Sequence, residues 1–143
     1  MVLKDACSRG CSEGEIAIYK RNIKFELYDL NGDKVPEVFA YIDHRDWCGM
    51  SFNCEYWVFQ RRRKDYRMLV GGYPVLRVAD TITNGFSDLE SQGYLGACVL
   101  PGGTMGRSIY LTVFKYTGNE YKPTVVGERC RERKVKPVAR FRN

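Results

Sequence analysis

The most informative stretch of this chain is residues 29–37, DLNGDKVPE, which lies between two apolar runs. Residues 24–28, KFELY, precede it, and residues 38–42, VFAYI, follow it. Both runs carry the aromatic and aliphatic residues that are typical of strands. Gly32 allows the sharp bend that a short loop between strands requires. The stretch therefore predicts two paired strands joined by an acidic loop.

Oxygen donors recur in this loop with a spacing that predicts a Ca²⁺ site. Asp29, Asn31, Asp33 and Glu37 supply side-chain oxygens, and the carbonyl of Val35 supplies another. Ca²⁺ binds several oxygen ligands and tolerates irregular geometry. The alternative is a plain hairpin turn, for which the Asn-Gly pair alone is sufficient. Because three carboxylates in one small loop repel one another without a counter-ion, the sequence favours a structural Ca²⁺.

Two motifs further along the chain extend this pattern. Residues 29–37 resemble the calcium loop of FG-GAP and VCBS-type repeats, whose usual pattern is D-x-N-G-D-G-x-P-D. A C-G-x-x-x-x-C pair follows at residues 48–54, and an N-G-[WF]-x-D-[LI] turn follows at residues 84–89. The loop followed by these two motifs is similar to a group of small bacterial envelope proteins, and the resemblance covers residues 16–120.

The resemblance implies a β-rich envelope protein, periplasmic or secreted, with a calcium loop. It implies a location and a type of fold more than it implies an activity. Two positions depart from the family pattern, since Lys34 stands where the pattern has glycine and Glu37 where it has aspartate. Both departures leave oxygen ligation possible, and both would change the affinity of the loop for Ca²⁺.

Composition and periodicity predict the class of fold. A chain of 143 residues that is 44% hydrophobic and 13% aromatic is expected to form one folded domain. Short strand-like runs alternate with turn signals, and no helical period is sustained. We therefore expect an all-β or β-rich α+β fold, a compact antiparallel sheet or sandwich with short helical turns. The absence of a long apolar run predicts no transmembrane segment.

Three regions are expected along the chain. Residues 1–14 are predicted to be an irregular N-terminal segment, residues 15–126 a β-rich domain, and residues 127–143 a basic C-terminal tail. The domain is expected to begin with a strand, because residues 15–20, EIAIYK, alternate in polarity.

Six cysteines in a small β-patterned domain predict disulfides and an oxidising compartment. We expect a periplasmic or secreted protein from which the signal peptide has been removed. Cys48 and Cys54 are the local candidates for a disulfide. A zinc site is the alternative, but the Cys-x₃-Cys and Cys-x₅-Cys spacings fit the usual zinc pairs poorly. The partners of the other four cysteines stay open: Cys7, Cys11, Cys98 and Cys130.

Patterns of catalytic residues give no support for an enzyme. The sequence has neither a Gly-x-Ser-x-Gly elbow nor a His-Glu-x-x-His motif, and His44 is its only histidine. A carboxylate pair could be drawn from Asp43, Asp46 and Glu55, but no spacing rule selects them. We therefore expect a protein that is not an enzyme, with a metal-dependent hydrolase as the third alternative.

The net charge of +6 is concentrated in two places, the C-terminal tail and residues 61–64. Arg61, Arg62, Arg63 and Lys64 are predicted to form a hairpin turn, which is either a solvated turn or a partner-binding patch. We expect a non-catalytic binding protein whose partner is another protein. Its most concrete form is an inhibitor or immunity-type protein for an envelope-acting enzyme. The alternative is a basic module that binds nucleic acid or anionic glycan.

Overall fold

The computed structural model describes Val2, Cys7, residues 10–49 and residues 53–132. Over this part of the chain the protein forms two four-stranded antiparallel sheets, with strand orders β1-β2-β3-β4 and β5-β6-β7-β8. The prediction of a β-rich antiparallel single domain is confirmed. The strands are β1 Ile23–Tyr28, β2 Glu37–Ile42, β3 Glu55–Arg61, β4 Tyr66–Pro74, β5 Leu76–Thr83, β6 Phe86–Val99, β7 Met105–Tyr116 and β8 Tyr121–Glu132. The helices are α1 Glu13–Asn22 and α2 Arg45–Cys48.

The two sheets share one apolar core. Phe39 and Val58 oppose each other in the first sheet, and both are completely buried. Leu89 and Phe114 oppose each other in the second sheet and are buried in the same cluster. Because successive strand residues point to opposite faces, each sheet contributes one apolar face to this core. Burial of each such side chain stabilises the fold by about 1.5–3 kcal/mol.

A single residue, Val75, connects the two sheets. It has a φ of 44°, which is strained for a β-branched residue. Its backbone is held on both sides, since its N–H donates to the Cys54 carbonyl at 3.1 Å and its carbonyl accepts from the Gln92 N–H at 3.4 Å. These bonds fix the corner at which the chain leaves one sheet and enters the other.

The strand predicted at residues 15–20 is wrong, because these residues belong to helix α1. A capping box starts this helix: the Ser12 hydroxyl accepts from the Glu15 N–H at 3.3 Å, and the Glu15 carboxylate accepts from the Ser12 N–H at 2.8 Å. Tyr19 packs edge-on against Trp47 at 4.7 Å between ring centroids. The capping signal and this tertiary contact outweigh the alternation of the short apolar run.

Three disulfides cross-link the domain. They join Cys7 to Cys11, Cys48 to Cys54 and Cys98 to Cys130. Three disulfides are consistent with an oxidising, extracytoplasmic compartment. In the described part of the chain, no helix has both the length and the apolar character needed to cross a membrane.

The basic tail predicted at residues 127–143 includes the end of strand β8. Residues 127–132 are the last six residues of this strand and pair with β7. Residues 133–143 lie outside the described residues.

Candidate functional site

Asp29, the first residue of the acidic loop, orders the loop backbone through both of its carboxylate oxygens. One carboxylate oxygen accepts from the Gly32 N–H at 2.7 Å, and the other accepts from the Lys34 N–H at 2.9 Å. Lys34 adopts a φ of 68°, the left-handed region that glycine occupies most readily. This conformation gives a physical reason for the glycine that the FG-GAP pattern has at this position.

Asn31 and Asp33 hold the rest of the loop. The Asn31 Oδ1 accepts from the Asp33 N–H at 3.0 Å, and the Asp33 Oδ1 accepts from the Val35 N–H at 2.7 Å. The Asn31 amide also donates to the Asp33 Oδ2 at 2.9 Å. Such bonds from short polar side chains to nearby backbone groups are the usual means of ordering a tight turn.

Glu37 faces the interior of the protein. It is 1% exposed, and its carboxylate accepts from the Leu30 N–H at 3.0 Å and from the Gln60 amide at 3.5 Å. Burial raises the pKa of Glu37, while the bond from Leu30 opposes that change. The Glu37 carboxylate therefore supports the acidic loop from the protein interior, because it holds the backbone N–H of Leu30, the second residue of the loop.

A chain of polar contacts continues from Glu37 into the second sheet. The Gln60 Oε1 accepts from the Arg67 guanidinium at 2.8 Å. The same guanidinium donates to the Tyr116 hydroxyl at 3.0 Å and to the Asn119 side chain at 3.2 Å. The acidic loop is thus linked to the turn between β7 and β8.

The turn at residues 84–89 packs directly against the acidic loop. The Ser87 N–H donates to the Leu30 carbonyl at 2.7 Å. Asn84, with a φ of 52°, donates from its side-chain amide to the Tyr116 carbonyl at 2.8 Å. Two motifs that are far apart in sequence therefore form one structural unit at this end of the sheets.

The loop meets some requirements of a calcium site. Asp29 and Asp33 are exposed, Asn31 is half-buried, and all three provide oxygens of the kind that a hard cation prefers. These oxygens already accept loop N–H groups, and the Glu37 carboxylate is occupied in the interior. Within the described residues, no group of three or more His, Cys, Asp or Glu side chains is arranged to hold a metal ion. The donor types thus fit Ca²⁺, but Glu37 does not converge with them.

The basic turn, residues 61–64, lies between β3 and β4 and is exposed throughout. The Arg62 N–H donates to the Asp65 carbonyl at 2.8 Å and closes the turn. Arg61 opposes Tyr66 in the register of these strands, and Phe59 opposes Met68. Because directly opposed residues share a face, Arg61 at the start of the basic turn lies on the outer face of the first sheet with Tyr66.

That outer face contains an apolar groove, here called the outer groove, with a volume of about 530 Å³. Three of its side chains are prominently exposed: Phe25 by 64%, Leu27 by 61% and Tyr66 by 47%. Its lining residues are Val2, Ile23, Phe25, Leu27, Val38, Phe59 and Tyr66.

Among the residues that the structure describes, those of α1 and α2 cover only part of this face. Tyr19 and Trp47 belong to a second apolar cluster that buries the outer-face residues Ala40, Ile42 and Trp57. The remaining part forms the outer groove. The sequence of β1, IKFELY, contained a signal for this apolar face. Ile23, Phe25 and Leu27 occupy alternate positions and therefore lie on one face of the strand. The sequence analysis assigned β1 as a strand but missed that its outward face is apolar.

His44 has a structural role in this fold. It is the N-cap of α2, and its Nδ1 accepts from the Asp46 N–H at 3.3 Å. A histidine that caps a helix satisfies a backbone donor that would otherwise lack a partner.

Comparison with protein-family models, curated proteins and solved structures finds no match to this chain.

Proposed function

We propose that this protein is a non-catalytic binding protein of the periplasm or the extracellular space, and that its partner is another protein. The binding surface is the outer groove together with the basic turn. The observation that carries the proposal is an exposed apolar groove of about 530 Å³ beside four consecutive cations.

The composition of this surface is that of a protein interface. Phe59, Arg61, Tyr66 and Met68 share the outer face through their register, and Phe25 and Leu27 lie on the same face in β1. Aromatic residues, methionine and arginine are enriched at interfaces, where an apolar centre is surrounded by a polar rim. The basic turn supplies such a rim on one side of the groove.

Charge indicates the kind of partner. The basic turn carries four cations, and Asp65 beside it carries the one acidic group of residues 61–65. An acidic partner surface would be attracted and oriented by this charge, so association should slow as salt concentration rises. The most concrete form of the proposal is an inhibitor or immunity-type protein that binds an acidic surface of an envelope-acting enzyme.

Titration against a panel of envelope hydrolases tests this proposal. Wild-type protein should reduce the activity of at least one hydrolase, and the variant Leu27→Asp, with a charge in the groove, should lose that inhibition. Ile82→Asp is the matched control, because Ile82 is 71% exposed on the second sheet. No complex with any member of the panel, or equal inhibition by the Leu27 variant, would contradict the proposal.

The competing function is a basic module for nucleic acid or anionic glycan. Tyr66 is 47% exposed beside the basic turn, and such modules stack bases on exposed aromatic rings that lie next to cations. This function requires affinity that falls steeply with salt. It also requires that replacing Arg61, Arg62 and Arg63 with glutamine weakens binding, whereas Leu27→Asp leaves it unchanged.

For the acidic loop we propose that Asp29, Asn31, Asp33 and the Val35 carbonyl bind a structural Ca²⁺, with Glu37 supporting the loop from inside. A ligand that binds the native state raises its stability in proportion to the logarithm of ligand concentration. The unfolding temperature of the oxidised protein should therefore be higher in Ca²⁺ than in EDTA.

The variant Asp33→Ala should remove this difference, and Asp65→Ala, which changes an exposed aspartate outside the loop, should keep it. An Asp33 variant that responds to Ca²⁺ as the wild type does would exclude the loop as the binding site.

A further inference from the structure

The second sheet carries a hairpin that extends beyond the shared core. We call residues 94–110, the ends of β6 and β7 with their connecting loop, the distal hairpin. β5 pairs with β6 only as far as Ser91, and Asn53 meets Tyr94 where its side-chain oxygen accepts the Tyr94 N–H at 3.2 Å. None of the residues in the shared core belongs to the distal hairpin. Among the described residues, the distal hairpin therefore lies outside the shared core.

One face of the distal hairpin combines apolar and cationic side chains. Directly opposed residues in neighbouring strands lie on the same face of a sheet. The 5.6 Å contact between Arg107 and the Tyr94 ring shows that the face continues across the bulge between Tyr94 and Gly96. Its rows are Val99 with Met105, Ala97 with Arg107 and Arg131, and Tyr94 with Ile109 and Arg129.

The end of the hairpin is apolar and uncharged. Val99 is 64% exposed and Met105 is 54% exposed. Residues 92–110 contain no Asp or Glu, and Arg107 is their only charged residue. Exposed aliphatic side chains at a projecting tip lose contact with water when they enter an apolar phase.

Cations gather directly behind this tip. Arg107, Arg129 and Arg131 lie on the hairpin face, whereas Glu128 lies on the opposite face and accepts a bond from Ser108. β8 ends at Glu132, which pairs with Gly106 beside the tip.

We infer that the distal hairpin binds the surface of a membrane rich in anionic lipid. Val99 and Met105 enter the interface, and Arg107, Arg129 and Arg131 contact the lipid headgroups. Peripheral membrane binding combines buried apolar area with attraction between cations and anionic lipids, and the hairpin face provides both. This site is separate from the outer groove on the first sheet, so the inference does not depend on the proposed partner.

The chemistry of the tip favours lipid over nucleic acid. Proteins that bind single-stranded nucleic acid stack bases on exposed aromatic rings. The tip residues are aliphatic, and Tyr94, the aromatic residue in the rows of the face, lies under Arg107. Aliphatic side chains gain from insertion between acyl chains and offer no stacking surface to a base.

Co-sedimentation of the oxidised full-length protein with vesicles tests the inference. Vesicles that contain phosphatidylglycerol and phosphatidylcholine should bind the protein, and vesicles of phosphatidylcholine alone should not. The double variant Val99→Asn, Met105→Gln should have an affinity for the anionic vesicles that is lower by about tenfold. Arg107→Gln should lower affinity about fivefold, the effect of one basic residue at an anionic surface.

The matched control is Ile82→Asn, which removes an exposed aliphatic side chain from β5 of the same sheet. This variant should bind vesicles as the wild type does, and unfolding curves should show that all variants are folded. Equal binding to both kinds of vesicle, or unchanged binding by the Val99 and Met105 variant, would overturn the inference. Binding to an oligonucleotide with no binding to anionic vesicles would overturn it in favour of nucleic acid.

Discussion

Replacement of Glu37 by alanine should destabilise the protein through its interior. The Glu37 carboxylate accepts the Leu30 N–H at 3.0 Å, and Leu30 is 3% exposed. Without the carboxylate, water cannot reach the buried Leu30 N–H to replace its lost hydrogen-bond acceptor. The Gln60 amide, at 3.5 Å from the same carboxylate, loses an acceptor as well.

The expected loss follows from these contacts. A buried donor left without a partner costs about 1–3 kcal/mol. The one methylene group removed with the carboxylate contributes about 0.8 kcal/mol. Removal of a buried carboxylate also relieves the cost of its desolvation, which offsets part of the loss. We therefore expect a net loss of about 2 kcal/mol in the free energy of unfolding, or about 6 °C in Tm.

The loss should depend on pH in a defined direction. Because the pKa of Glu37 is raised above its ordinary value of 4.5, protonation favours the folded state. The stability that Glu37 contributes is fully present below pH 4.5 and is lost as pH rises through the native pKa. The difference between wild type and Glu37→Ala should therefore be larger at acidic pH than at neutral pH.

Urea unfolding followed by the fluorescence of Trp47 and Trp57 measures this difference. The measurement is repeated in Ca²⁺ and in EDTA, and the loss should be similar in both because Glu37 acts from the interior. Glu120→Ala is the control, since Glu120 is 54% exposed and pairs with Lys122 on the surface at 3.3 Å. This control should change stability by less than about 0.5 kcal/mol. A loss below about 1 kcal/mol for Glu37→Ala would refute the assignment of Glu37 as the internal support of the loop.

Two further predictions concern packing and alkaline pH. Gly106→Ala should lower the free energy of unfolding by about 1–3 kcal/mol in urea titrations, because its Cβ would lie 2.6 Å from the Arg131 carbonyl oxygen. Gly127→Ala has open space around its Cβ and should be nearly neutral, and equal effects of the two substitutions would contradict the β7–β8 packing. Burial raises the pKa of Tyr28 from 10.0 to about 12, so the stability that its hydroxyl contributes should be lost as pH rises through this interval. In unfolding curves the advantage of wild type over Tyr28→Phe should shrink from pH 10.0 to about 12, and a constant advantage would contradict the burial of this hydroxyl.

Local sequence was sufficient for the strands around the acidic loop and for the class of fold. Residues 24–28 and 38–42 lie within β1 and β2, because their aromatic and aliphatic content favours extended backbone. The helix at Glu13–Asn22 also had a local signal, since Ser12 and Glu15 are spaced as a capping box. The error at residues 15–20 arose because a short alternating run weighed more than that cap.

The orientation of Glu37 was partly accessible from sequence. Glu37 and Phe39 are two residues apart in β2 and therefore point to the same face. A buried Phe39 thus implies that the Glu37 side chain is directed into the core. Glu37 is then removed from the set of side chains that could bind Ca²⁺ in the loop. Sequence alone could not establish that the Leu30 N–H and Gln60 would satisfy the carboxylate, because both contacts depend on how the loop and β3 pack.

The sequence by itself determined the alternation of strands and turns, the donor types of the loop and the presence of cations at residues 61–64. Only the tertiary structure decided that Cys98 pairs with Cys130, residues on β6 and β8, the two strands that flank β7. It also decided that the described residues leave part of one sheet face open as the outer groove and that three arginines align behind an apolar tip. Periodicity states which side chains share a face, whereas register and the packing of distant segments decide which faces are covered and which cross-strand neighbours meet.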